Sequence, residues 1–101
     1  MMRRPTPAWL TGADYAHRGL HAAGVPENSL AAAEAAIAAG LGIECDIQMS
    51  ADGVPMVFHD WDLARMTGRP EAVAALEADA LEALGLGGTE HSPVRLARFL
   101  E

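Results

Sequence analysis

Four short fragments fall in order within the first sixty residues: His17-Arg18-Gly19, Pro26-Glu27-Asn28-Ser29, Glu44-Cys45-Asp46 and His59-Asp60. Glu44 and Asp46 are two residues apart, and carboxylate oxygens are the donors that hard cations such as Mg²⁺ and Ca²⁺ prefer. From Ile43 to Ile47 the odd positions are apolar and the even ones polar. In a strand, alternate side chains share a face, so this pattern turns both carboxylates one way and sends the isoleucines into a core on the other. The competing reading is the solvated outer face of an edge strand. His17 and His59 each fall where an expected strand runs into a loop, and an imidazole can take up or release a proton near neutral pH. A single histidine of this kind is more often structural. Two of them flanking a carboxylate pair favour acid–base chemistry.

Arg18 follows His17 directly, and a guanidinium can hold a phosphate oxygen pair through parallel hydrogen bonds. A surface arginine paired with a nearby acid is the equal alternative. Glu27 and Asn28 are within reach of such a site, although Asn28 is sufficiently explained as a helix cap. Asp60 reads as a hydrogen-bond partner that orients loop backbone or a histidine. Met49, Met56 and Met66 read as core filler, and His21 and His91 as loop residues.

The elements that must position these groups follow from local signals. Residues 1–12 form an arm interrupted by Pro5 and Pro7, with Trp9-Leu10 as its anchor, and residues 13–101 form the domain. Tyr15-Ala16-His17 is a short strand ending at Gly19. A helix capped by Asn28 or Ser29 runs to about Ala39 and stops at Gly40, with Leu30, Ala33, Ile37 and Leu41 as its buried stripe. Leu41–Met49 is a second strand, Ser50–Gly53 a turn, and Val54–His59 a third strand. Pro70 suits the first turn of a helix over Glu71 to about Ala78. A short helix over Ala80–Leu84 precedes the glycines at 85, 87 and 88, and an apolar element spans Val94–Leu100. The order of strands and helices fits an α/β fold. It matches the N-terminal part of a (β/α)₈ barrel, which usually needs about 250 residues, so the expectation is a barrel truncated after about three strands.

Composition narrows the field. With 101 residues there is room for one domain at most. A net charge of −7 argues against a phosphate-backbone footprint and hence against nucleic-acid partners. Cys45 is the only cysteine, which rules out an intrachain disulfide and suits a small packing residue. The basic start lacks the apolar run of a secretory signal, and no stretch reaches the roughly 18 apolar residues of a membrane span. A soluble, cytoplasmic protein is the expectation.

Together, Ala16-His17-Arg18-Gly19, Pro26–Ser29, Ile43–Asp46, Asp52–Asp60 and Leu63–Thr67 resemble the N-terminal part of the glycerophosphodiester phosphodiesterase family. The likeness is close over residues 14 to 68 and looser from Leu84 to Glu101. It implies a barrel that uses a divalent metal, Mg²⁺ or Ca²⁺, to cleave glycerophosphodiesters to glycerol 3-phosphate and an alcohol. It also implies that His17 and His59 are the acid–base pair, that Glu44 and Asp46 hold the metal, and that Arg18 contacts phosphate. The family completes its metal site with a glutamate on a later strand, which neither Glu90 nor Glu101 matches. The chain ends at Glu101 without cap or turn, as a cut would leave it. The expectation is therefore that the isolated segment is inactive and associates with itself through an open sheet edge. Two other readings stand beside this: a non-catalytic remnant or interaction module of the family, and a related phospholipase D-like barrel phosphodiesterase.

Overall fold

The computed structural model describes residues 14–100. The arm expected over residues 1–12, with Trp9-Leu10, lies outside them. Strand β1 (Tyr15–His17) pairs in parallel with β2 (Gly42–Glu44), and helix α1 (Leu30–Ala38) makes the crossover between them. The register sets Tyr15 against Gly42, Ala16 against Ile43 and His17 against Glu44.

Ser29 starts α1 by side-chain chemistry. Its hydroxyl accepts from Ala32 N–H at 3.1 Å and donates to Pro26 C=O at 2.7 Å, so an orphan helix donor and the incoming loop are satisfied together. Gly40, at φ +73°, ends the helix as expected. The buried stripe differs from the expected one: Ala32, Ala33 and Ala36 are buried, whereas Ile37 is 68% exposed. The reason is the closeness of the β1–α1 loop. A Cβ on Gly19 would lie 2.8 Å from Ala32 Cβ and 2.9 Å from its carbonyl carbon, so only glycine facing alanine permits the approach.

The strand expected over Leu41–Met49 is two strands in two sheets. β2 ends at Glu44, the chain passes through Cys45 and Asp46, and β3 (Ile47–Met49) joins an antiparallel sheet ordered β3–β4–β5, with β4 at Pro55–Val57 and β5 at Val94–Arg95. The break costs the expected alternation its core face. Ile43 is half-buried, while Ile47 and Met49 are 42% and 48% exposed. Met49 is thus no core filler, whereas Met56 is fully buried and Met66 packs against the core from its edge.

The helix expected over 71–78 is also absent. Val73 N–H donates to Trp61 C=O and Leu63 N–H to Glu71 C=O, at 2.9 and 3.0 Å, so this stretch is drawn out alongside residues 61–63. What forms instead is a 3₁₀ turn over Val73–Ala75, after a short helix α2 (Ala64–Thr67) and before α3 (Ala78–Glu82). The core gathers Met56, Phe58, Leu63, Val73, Ala78, Leu81 and Leu86 beneath β4. The final apolar element divides into β5 and helix α4 (Leu96–Phe99). Arg95 fastens β5 to α3 through Glu82 Oε1 at 3.0 Å and Asp79 Oδ1 at 2.6 Å.

Candidate active site

The parallel register does what local sequence alone does not: it brings residues 27 positions apart side by side at the carboxyl ends of two strands. His17 Nε2 lies 3.1 Å from Glu44 Oε2. One residue further, Arg18 Nε stands 3.4 Å from Asp46 Oδ2, and Asn28 Nδ2 donates to the same oxygen at 3.2 Å. Glu44 and Asp46 thus each face a residue at the end of β1, Glu44 facing His17 and Asp46 facing Arg18, although the chain between them changes sheets.

Backbone strain falls in the same place. Among the described residues, Arg18 (φ +58°) and Asn28 (φ +56°) are the non-glycine residues in the left-handed region. Such a conformation costs an L-residue roughly 1–2 kcal/mol. Asn28 N–H donates to Arg18 C=O at 2.8 Å, so each strained residue holds the other. Strain that a surrounding structure enforces in this way is characteristic of functional sites.

Buried polarity gives a second sign. Among the described residues, three buried side-chain atoms have no hydrogen-bond partner, and all are here: Arg18 Nε, Asn28 Oδ1 and Glu44 Oε2. Arg18 Nε lies 3.4 Å from Asp46 Oδ2 and Glu44 Oε2 3.1 Å from His17 Nε2, in both cases without hydrogen-bond geometry. Asn28 has its donor end turned to Asp46, which leaves its carbonyl oxygen idle at a residue only 2% exposed. An unmet buried acceptor costs about 1–3 kcal/mol unless a ligand meets it. The capping role expected of Asn28 belongs to Ser29; Asn28 is a site residue.

His59 stands on a second arm. It follows β4, and its Nδ1 is 2.6 Å from Asp60 Oδ1, the orienting contact expected of Asp60. Asp60 also accepts from Arg65 Nε at 2.9 Å, and Arg65 reaches Glu27 through Nη1 and Nη2 at 2.8 and 2.9 Å. Glu27 Oε2 accepts from Arg18 Nη1 at 3.1 Å. A continuous run of charged contacts thus leads from His59 through Asp60, Arg65, Glu27 and Arg18 to Asp46. Hydrogen bonds from Arg65, then from His59, hold the Asp60 carboxyl down to about 2. Glu27 is likewise held below the usual carboxylate range, chiefly by the Arg65 hydrogen bonds. Arg18 is paired with acids, as its bland reading requires, but it is four-fifths buried among them.

Burial, with the adjacent Glu44 and Asp46 charges, pushes the Cys45 thiol up, so it stays neutral; it is only half-buried and outside the core. His21 and His91 lie in loops. A cavity of about 160 Å³ lined by Leu30, Glu90, His91, Ser92 and Val94 includes none of the residues above. Among the described residues, no three His, Cys, Asp or Glu side chains converge as a complete metal cage. The oxygens of Glu44, Asp46 and Asn28 still suit a hard cation, since Mg²⁺ commonly takes one or two carboxylates and completes its shell with water and substrate phosphate. The sequence gives no role to Arg65, met only within the Leu63–Thr67 motif, or to the idle Asn28 oxygen; Glu27 it sets within reach of the site and Asp60 as an orienting partner.

His17, Arg18 and Glu44 at the carboxyl ends of the parallel β1–β2 pair define an α/β protein with its polar groups where a barrel enzyme carries them. His59, by contrast, follows a strand of the antiparallel sheet and not the third parallel strand expected of a barrel. Comparison with known proteins narrows this. The sequence profile of the glycerophosphoryl diester phosphodiesterase family matches residues 17–100. A glycerophosphodiester phosphodiesterase domain-containing protein 4 from Macaca fascicularis is 37% identical over 82 residues, covering 72% of this chain and 13% of that protein. A glycerophosphodiester phosphodiesterase structure from Agrobacterium tumefaciens superposes with a TM-score of 0.78 at 34% identity, covering 87% of this chain and 41% of that one. A phosphodiesterase from Oleispira antarctica, solved with its product sn-glycerol 3-phosphate, gives 0.75 at 28% identity, with 86% and 38% covered. The chain belongs to the glycerophosphoryl diester phosphodiesterase family, and it spans less than half the length of these relatives.

Proposed function

We propose that this chain carries the first half of the active site of a metal-dependent hydrolase that cleaves glycerophosphodiesters to glycerol 3-phosphate and an alcohol. The observation that carries the reading is the parallel register that sets His17 beside Glu44 and, one step on, Arg18 beside Asp46. Family membership and the product bound in the Oleispira antarctica phosphodiesterase support the substrate class.

In this reading Glu44 and Asp46 hold a divalent ion, Mg²⁺ or Ca²⁺, with the idle Asn28 oxygen as a further donor. Such an ion offsets charge developing on the phosphate and makes a nearby hydroxyl more acidic. Arg18 is already pinned by Glu27 and Asp46, so its guanidinium meets a phosphate oxygen with little reorganisation. One histidine removes the proton from the attacking oxygen, of water or of the neighbouring glycerol hydroxyl. A new P–O bond forms and the ester bond to the alcohol breaks. The other histidine delivers a proton to the departing alkoxide. If the glycerol hydroxyl attacks, water then opens the cyclic diester by the same pair in exchanged roles.

Among the described residues no helix is long and apolar enough to cross a membrane. A small soluble glycerophosphodiester, acted on in the cytoplasm, is the substrate we assign. The test is release of glycerol 3-phosphate from glycerophosphocholine by the protein expressed from its complete reading frame, with and without a chelator. Turnover should vanish on chelation and return with Mg²⁺ or Ca²⁺. Glu44→Ala should abolish it with the fold retained. Undiminished turnover in chelated Glu44→Ala protein would remove the metal assignment, and turnover of intact phospholipid in place of glycerophosphocholine would favour the phospholipase D-like reading.

A further inference from the structure

Arg65 stands at the start of α2, and its side chain is half-exposed. Four hydrogen bonds leave its guanidinium in two opposed pairs. Nη1 and Nη2 grip both oxygens of Glu27, at 2.8 and 2.9 Å; Nε and Nη2 grip both oxygens of Asp60, at 2.9 and 3.1 Å. The planar guanidinium is therefore a bracket between two carboxylates that belong to different loops, 33 residues apart in sequence (60 − 27 = 33). A lysine, a single charge on a flexible stem, cannot make both forks at once.

The two carboxylates face outward to the groups assigned above to the reaction. Glu27 Oε2 holds Arg18 Nη1 at 3.1 Å, and Asp60 Oδ1 holds His59 Nδ1 at 2.6 Å. An ionised carboxylate only accepts, so its partner nitrogen on a neutral imidazole carries the proton. Asp60 in this way keeps Nε2 of His59 as the free acceptor, and the fork from Arg65 keeps Asp60 in place.

We propose that Arg65 is a positioning residue: by bracketing Glu27 and Asp60 it fixes the orientation of Arg18 and the tautomer of His59 relative to each other. The proposal rests on the reading of Arg18 and His59 given under Proposed function. A plain surface ion pair, which contributes little to a fold, is the competing explanation for a half-exposed arginine. The geometry argues otherwise. Each acid is held by both oxygens, and each passes the constraint to a group at the site. Misplacing a reacting group by about 1 Å can cost on the order of 10² in rate.

The experiment compares Arg65→Lys with wild type in the protein expressed from its complete reading frame. Two quantities are read: ¹⁵N NMR shifts of the His59 ring in substrate-free protein, and kcat for glycerophosphocholine. Wild type should show a neutral His59 ring protonated at Nδ1. The lysine variant should fold yet show mixed tautomers and lose about 10²-fold in kcat, with partial recovery on adding free guanidinium ion. A wild-type tautomer pattern and kcat in Arg65→Lys would overturn the proposal, because charge alone would then suffice. If Arg65→Lys does not fold, Glu27→Gln opens the bracket from its other side and is judged by the same two criteria. The NMR reading needs no turnover. A wild type inert toward glycerophosphocholine would refute the assigned substrate and leave the bracket decided by the tautomer.

Discussion

Replacing Asp60 by Asn should destabilise the protein by an amount that depends on pH in a calculable way. Hydrogen bonds from Arg65 and His59 lower the Asp60 carboxyl from 3.8 to about 2. A lowered carboxylate contributes stability that is complete above its unfolded-state value and is lost as pH falls through the folded one. With about 1.4 kcal/mol per unit, the full contribution is about 2 kcal/mol, present at pH 5 and above. At pH 3 roughly half remains, and near pH 2 little does. The Asp60 side chain is only 21% exposed, so solvent screening does not erase the effect. The assay is urea unfolding of wild type and Asp60→Asn at pH 5 and pH 3. With a slope of about 1–3 kcal/mol per molar urea, the midpoints should differ by on the order of 1 M at pH 5 and by half as much at pH 3. An equal difference at both values would mean that the loss comes from packing and not from charge. No difference at pH 5 would mean that the contacts of Asp60 with Arg65 and His59 contribute nothing to the fold.

His17→Ala and His59→Ala should each lower kcat by about 10²–10⁴-fold with a smaller change in KM, and each should remove one limb of a bell-shaped pH–rate profile. A variant with near-normal kcat would return that histidine to a structural role. The isolated 101-residue polypeptide should be catalytically silent. It should also associate through the edges of the β1–β2 pair, whose two strands each have one neighbour among the described residues. A sharp monomer peak in size-exclusion chromatography, with a cooperative urea transition, would show that the segment is self-sufficient.

Local signals in the sequence were enough wherever a structure is decided locally. The serine cap before Leu30, the stop at Gly40 and the turn at Asp52-Gly53 each depend on neighbours within a few residues. Alternation misled at Ile43–Ile47 because Phe58 N–H takes Asp46 C=O at 2.9 Å, where the chain leaves one sheet for another. That contact is twelve residues away and invisible to a period-two pattern. The α1 stripe misled for a different reason. Size marks Ile37 for burial, whereas close approach to Gly19 selects the alanines. For the site, residue types identified His17, Arg18, Glu44, Asp46 and His59 as candidates. No periodicity points to Arg65, because its Glu27 partner is 38 residues away and only the folded loops bring them together.

The arrangement of strain and unmet polarity shows why these particular residues are held where they are. A sequence free to minimise its own energy would relax Arg18 and Asn28 out of the left-handed region and would pair the Asn28 carbonyl. Neither happens, because the Asn28 N–H to Arg18 C=O bond and the Asn28 amide to Asp46 bond fix both residues from outside. Ser29 anchors the following helix and Gly19 locks the preceding loop onto Ala32. The strained pair therefore sits between two rigid supports, the end of β1 and the start of α1. Held this way, Arg18 turns its uncommitted Nε toward Asp46, while Asn28 gives its amide N–H to the same acid and keeps its carbonyl oxygen unpaired, a cost the surrounding structure enforces.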